Sequence, residues 1–135
     1  MTQEDKQLLL KDLCCRLPYG VKVQDELGRV NKLVIGNADL IRLFYNDFSI
    51  YRENALSLPL LRPMSNMTEE DNLSLSRYVG CSIRAKYGEI YFPNIEDNTL
   101  GNWEKVFKWL FKNHFDYHGL IEKGLAIEAP EGIYK

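Results

Sequence analysis

The chain has 135 residues, 45% of them hydrophobic and 27% charged, with a formal charge of −2. Those values suit one globular domain and exclude a collagen-like, low-complexity or disulfide-scaffold chain. The first 67 residues carry nine basic and eight acidic side chains, the remainder eight and eleven. Neither half offers the positive face that binding to phosphates requires, so a nucleic-acid partner is not expected.

Thr2 is placed to cap a first helix, with Asp5 three residues on as a variant of the capping box. Glu4 and Asp5 fall at the positive end of its dipole and Arg16 at the negative end. Leu10, Leu13, Cys14 and Leu17 follow i, i+3, i+4, i+7, with Leu9 on the flank. Pro18 stops this helix and Tyr19-Gly20 turns the chain.

The pattern then changes to strands. Val21 and Val23 alternate with Lys22 and Gln24, and the turn at 25–28 leads to a β-rich stretch from Arg29 to Ile35. Its alternation slips at Asn31-Lys32, the mark of a bulge. Turns at 36–39 and 46–47 frame a third strand, Leu40 to Tyr45, and open a fourth, Phe48 to Tyr51. Such short connections predict neighbouring antiparallel strands. Leu56, Leu58 and Leu60 alternate too, but Pro59 confines that segment to an edge or an irregular extended run.

Thr68 caps a second helix with Glu69, Glu70 and Asp71 in its first turn, a thin apolar face of Leu73, Leu75, Tyr78 and Val79, and Gly80 at its end. Ser82 to Phe92 reads as two short strands around Gly88. Trp103, Val106, Phe107, Leu110 and Phe111 give the strongest amphipathic pattern in the chain, with Lys105, Lys108 and Lys112 on the solvated side. Residues 117–123 predict one further helical turn ended by Gly124, and Leu125 to Lys135 an extended tail. The predicted architecture is α+β. A small antiparallel meander, with room to curl toward a barrel, is packed by the N-terminal helix and the C-terminal amphipathic helix.

His114, Asp116 and His118 are the most suggestive cluster, since histidines at i and i+4 can share a metal. They lie past a predicted helix end and lack the intervening glutamate of a zinc-protease helix, so dipole-favoured histidines are the simpler account. Cys14 or Cys15 could serve as a nucleophile with His114 and His118, but Cys14 falls on the apolar stripe and reads as core, with Cys15 flanking it. Cys81 reads as an interior residue at a helix-to-strand junction. Three cysteines without a secretion signal predict reduced thiols and a cytoplasmic protein. No stretch has the length and apolarity of a membrane span. Glu69, Glu70 and Asp71 are explained by the helix dipole without a metal. No nucleophile elbow, phosphate loop or dinucleotide fingerprint is present. No catalytic, cofactor-binding or metal-ligating residue is therefore assigned.

Trp103, Phe107 and Phe111 are spaced as core, as are Phe44 or Tyr45 and Phe48. The tyrosines Tyr19, Tyr45, Tyr51, Tyr78, Tyr87, Tyr91, Tyr117 and Tyr134 are the aromatic remainder, and tyrosine suits interfaces where one end of the ring is wet. The expected function is a non-enzymatic interaction module with a protein partner. The alternatives are a small Cys/His hydrolase or metal enzyme, and a small-barrel nucleic-acid binder.

Three segments, LLLKDLCCRLPYGVKV (8–23), LRPMSNMTEED (61–71) and NHFDYHGLIEKGLAIEAPEGIY (113–134), resemble a family of small proteins without assigned activity from gut Bacteroides-type bacteria, their prophages and mobile elements. The likeness covers most of the chain, is most specific at the C-terminal block and is weakest over 24–60. In that family the position of His118 is often arginine, which counts against a metal at that position. The resemblance implies a bacterial, cytoplasmic, phage-linked protein and supplies no catalytic residues.

Overall fold

Thr2 opens helix α1 (Gln3–Arg16) with a complete capping box: its hydroxyl accepts from the Asp5 N–H while the Asp5 carboxylate accepts from the Thr2 N–H. A 3₁₀ turn at Leu17–Tyr19 follows, and Gly20, at φ +70°, reverses the chain. The computed structural model describes residues 2–24, 27–32 and 58–134, with the side chains of Lys6 and Asn31 excepted. The strands expected at Leu40–Tyr45 and Phe48–Tyr51, the end of the second strand beyond Lys32, and the core roles of Phe44, Tyr45 and Phe48 lie outside the described residues.

The described residues form strands β1 (Lys22–Gln24), β2 (Val30–Lys32), β3 (Leu58–Leu61), β4 (Arg84–Lys86), β5 (Glu89–Tyr91) and β6 (Ile127–Glu128). They also form helices α2 (Glu69–Val79) and α3 (Leu100–Lys112), so the class is α+β. No closed barrel is found among the described residues. Contacts divide the chain into two compact units, residues 1–61 with 118–135, and residues 62–117.

The first unit holds a sheet in the order β2-β1-β3-β6. β1 pairs antiparallel with β2 and β3, and β3 pairs parallel with β6 at Leu60–Ile127 and Leu61–Glu128. β3 is thus an inner strand, although Pro59 predicted an edge. β6 begins its pairing at Leu60, one residue past the proline, so that side of β3 is still edge-like at the residue that lacks an N–H. The tail is not simply extended. Tyr134 returns its hydroxyl to the sheet, accepting from the Lys22 N–H (3.0 Å) and donating to the Leu60 carbonyl (2.6 Å). One side chain thereby satisfies a donor on β1 and an acceptor on β3. The core of this unit is Leu9, Leu13, Val21, Leu61, Leu120, Leu125 and Ala126. The turn predicted at 117–123 is present as non-helical turns, and Gly124 stands at φ +74°.

In the second unit Thr68 caps α2 as predicted, and Gly80 ends it at φ +93°. The buried face differs from the predicted one. Asn72, Leu75 and Val79 face inward, while Leu73 and Tyr78 are exposed. A polar residue displaces two apolar ones because Asn72 has a partner. Its Oδ1 accepts from the Ala85 N–H at 3.0 Å. One turn later the Ser76 hydroxyl accepts from the Ile83 N–H and donates to the Ile83 carbonyl. Helix side chains therefore satisfy the edge of the hairpin that carries Ile83 and Ala85, and unpaired strand edges invite aggregation. The β4–β5 hairpin has the predicted two strands around Gly88. α3 buries Val106, Trp109 and Leu110 with Leu75, Val79, Ile83 and Phe115, and Phe111 is buried too, while Trp103 and Phe107 pack at the margin. Trp109 was not on the predicted stripe. Its ring stacks on Phe115 at 5.5 Å, a partner invisible to helical periodicity.

Candidate functional site

The strongest polar feature of the first unit lies on α1. Leu9, Asp12, Leu13 and Arg16 are all 0% exposed, which rotates the buried stripe one position from the predicted one and leaves Cys14 exposed rather than in the core. Asp12 and Arg16 stand at i and i+4, so their side chains meet on that face. Arg16 donates to both carboxylate oxygens, Nε to Oδ2 at 2.6 Å and Nη2 to Oδ1 at 3.0 Å. His118, from the chain's C-terminal return, places Nδ1 at 2.8 Å from Asp12 Oδ1. A carboxylate only accepts, so Nδ1 carries the proton. Burial by itself would raise the Asp12 pKa, but the hydrogen bonds and charges of His118 and Arg16 outweigh it and hold the carboxyl below the usual carboxylate range.

This node engages one of the residues that the sequence offered for chemistry, and the thiols beside it are not activated. His118 serves the Asp12 carboxylate. The Cys14 and Cys15 thiols are both shifted upward, by burial first, and in Cys15 the Asp12 charge adds to the shift. A nucleophilic cysteine needs the opposite shift. In the sequence Arg16 reads as a dipole partner at the helix end and Asp12 lies off the predicted apolar stripe. The available signal was their i, i+4 spacing in register with Leu9.

His114 and Asp116 act through their backbones in the second unit. The Arg62 N–H donates to the His114 carbonyl (2.7 Å), and the Asp116 N–H donates to the Arg62 carbonyl (2.8 Å), forming a parallel bridge between Arg62 and Phe115. The Arg62 guanidinium lies over the Phe115 ring at 4.1 Å and pairs with Asp71 at 3.0 Å. Asp71 also closes the Thr68 capping box, and Glu69 reaches Arg84 at 3.2 Å, so two of the three acids at this helix start have structural partners. Among the described residues no three His, Cys, Asp or Glu side chains gather where one metal ion could be held. Cys81 is half-buried, with its thiol pushed up by burial and by Asp97.

The surface of the second unit is where side chains are spent without an internal reason. Tyr87 and Gly88 both have positive φ, +54° and +78°, as a two-residue type I′ hairpin turn requires. Asparagine or aspartate is the usual first residue of such a turn, and a bulky side chain there is strained. Yet this position holds a tyrosine that is 91% exposed, touched by the Lys86 ammonium at 5.4 Å from the ring centroid. Cross-strand pairing sets Arg84 opposite Tyr91 and Lys86 opposite Glu89. Strand alternation puts these four on the outer face, while Ala85 and Ile90 face inward. Beside this face an open groove of about 430 Å³ is lined by residues of α2 and of the segment that follows it, among them Leu73, Arg77, Cys81, Ile83 and Arg84.

Among the tyrosines, Tyr78, Tyr87, Tyr91 and Tyr117 are exposed, whereas Tyr134 is committed to the sheet, and Tyr45 and Tyr51 lie outside the described residues. No family model, curated protein or solved structure matches this chain. Among the described residues no helix is long and apolar enough to cross a membrane.

Proposed function

We propose that the protein is a binding module for another protein, with the outer face of the β4–β5 hairpin as the contact surface. One observation carries the reading: Tyr87 is an aromatic residue held at positive φ and almost fully exposed at the hairpin tip. Backbone strain persists where something other than folding favours it. Tyrosine is the residue type that contributes most often, with Trp and Arg, to the centre of protein interfaces. Tyr91 and Arg84 extend the same face. The mixed charge of the chain, −2 overall, favours a protein over a nucleic acid as partner. An enzymatic reading through Cys14 or Cys15 has less support, because both thiols are shifted away from the thiolate. The resemblance of 8–23, 61–71 and 113–134 suggests prophage or mobile-element biology in the cytoplasm of Bacteroides-type bacteria.

A photo-crosslinking amino acid placed at position 87, and in a control at exposed Lys112, tests this in cells of such a host. The expected result is an adduct of defined mass from position 87 that excess wild-type chain competes away and that Tyr91→Ala weakens. Equal labelling from positions 87 and 112 would refute the reading.

A further inference from the structure

The groove beside the hairpin has a chemistry of its own. Among the described residues its lining includes two arginines, Arg77 and Arg84, and no carboxylate. Leu73, on the outer face of α2, is 54% exposed and Ile83 is buried, so the lining joins aliphatic side chains to the two arginines. The backbone here is already satisfied, since Ser76 serves both the N–H and the carbonyl of Ile83 and Asn72 serves the N–H of Ala85. A partner therefore cannot bind here by adding a strand to this edge, and recognition must run through side chains. Arg84 pairs with Glu69 at 3.2 Å in an exposed pair, and such a pair is weak enough to exchange for an incoming carboxylate. The volume, about 430 Å³, falls in the range of small-ligand pockets.

Resting on the binding role above, we propose that this groove takes a short acidic segment of the partner protein. Its carboxylates would pair with Arg77 and Arg84, and an aliphatic side chain between them would pack on Leu73 and Ile83. Charge complementarity selects this occupant: two arginines joined to aliphatic side chains favour carboxylates next to aliphatic groups and repel a basic amphipathic helix.

The test is selection of a phage-displayed random 12-residue peptide library on the full chain, followed by fluorescence anisotropy of the enriched peptides. Enriched sequences are expected to carry Asp or Glu next to Leu, Ile or Val. Arg77→Glu and Arg84→Glu should each weaken binding by about tenfold, the scale of one charge-assisted contact. Leu73→Ser should weaken it severalfold, with thermal unfolding confirming that each variant is folded. In a Cys14→Ser, Cys15→Ser background, saturating peptide should also slow alkylation of Cys81, which lines the groove. The proposal is overturned by enrichment without an acidic–aliphatic signature, by arginine variants that bind within twofold of wild type, or by failure to enrich any peptide. Binding of an oligonucleotide that is insensitive to Leu73→Ser overturns it as well. Peptides that survive both arginine substitutions but are lost on Tyr87→Asn would remove the groove while leaving the hairpin as a binding face. Loss of the position-87 adduct in the crosslinking experiment tests the wider role separately.

Discussion

Replacing Asp12 with alanine should destabilise this protein more than any other single polar substitution among the described residues of the first unit. Asp12 and Arg16 are both 0% exposed, joined by two hydrogen bonds of 2.6 and 3.0 Å, with His118 adding a third at 2.8 Å. Alanine leaves a fully buried guanidinium without its carboxylate. Breaking a buried pair in this way typically costs about 3–5 kcal/mol. Against a total stability of roughly 5–15 kcal/mol, that is about a fifth or more. At about 3–5 °C per kcal/mol for a chain of this size, the melting temperature should fall by roughly 10–20 °C. Thermal unfolding followed by far-ultraviolet circular dichroism measures the shift, and hydrogen exchange of the α1 amides locates it. The double variant Asp12→Leu, Arg16→Met should recover most of the loss, since an apolar pair of similar volume has no charge to desolvate. A fall of less than about 3 °C, near 1 kcal/mol, would show that the node is not the source of stability. The same node sets a pH dependence. The Asp12 carboxyl is held below its usual range, so it binds a proton less readily folded than unfolded. Its stabilisation is fully present above about pH 4, the ordinary aspartate value, and is lost as pH falls through the lowered folded value. Asp12→Ala should flatten that acid limb.

Three further substitutions have defined outcomes. Tyr87→Asn puts a residue suited to positive φ at the hairpin tip and should stabilise the chain by roughly 0.5–1 kcal/mol in urea unfolding while abolishing partner contact, and a loss of stability would contradict the strain argument. Tyr134→Phe removes the hydroxyl shared by the Lys22 N–H and the Leu60 carbonyl, and should cost about 1–3 kcal/mol with faster exchange of the Lys22 amide, whereas an unchanged amide would mean the tail is not bound there. Ser76→Ala strips both partners from Ile83 and should cost a similar roughly 1–3 kcal/mol, read by the fluorescence of Trp103 and Trp109, both within the affected unit, and by exchange at the Ile83 amide.

Local chemistry was legible in the sequence wherever the determining partners lie within a few residues. The capping boxes of Thr2–Asp5 and Thr68–Asp71, the terminations at Gly20 and Gly80, the hairpin around Gly88 and the amphipathic character of α3 all follow from neighbours in the chain. So does the α+β class. Which face each helix buries was decided by residues far away in sequence. Asp12 goes inside with Arg16 where His118, 106 residues from Asp12, adds a third hydrogen bond to the carboxylate, and a charge is buried at tolerable cost only when such partners are in place. Asn72 displaces Leu73 from the interior because Ala85 offers an N–H, and Trp109 turns inward to stack on Phe115. Hydrophobic periodicity ranks residues by type and carries no information about these partners. The tyrosines divide in the same way. The sequence shows that tyrosine is abundant, but only the tertiary structure separates Tyr134, which pins the sheet, from Tyr87, which the fold holds out to solvent at a strained turn.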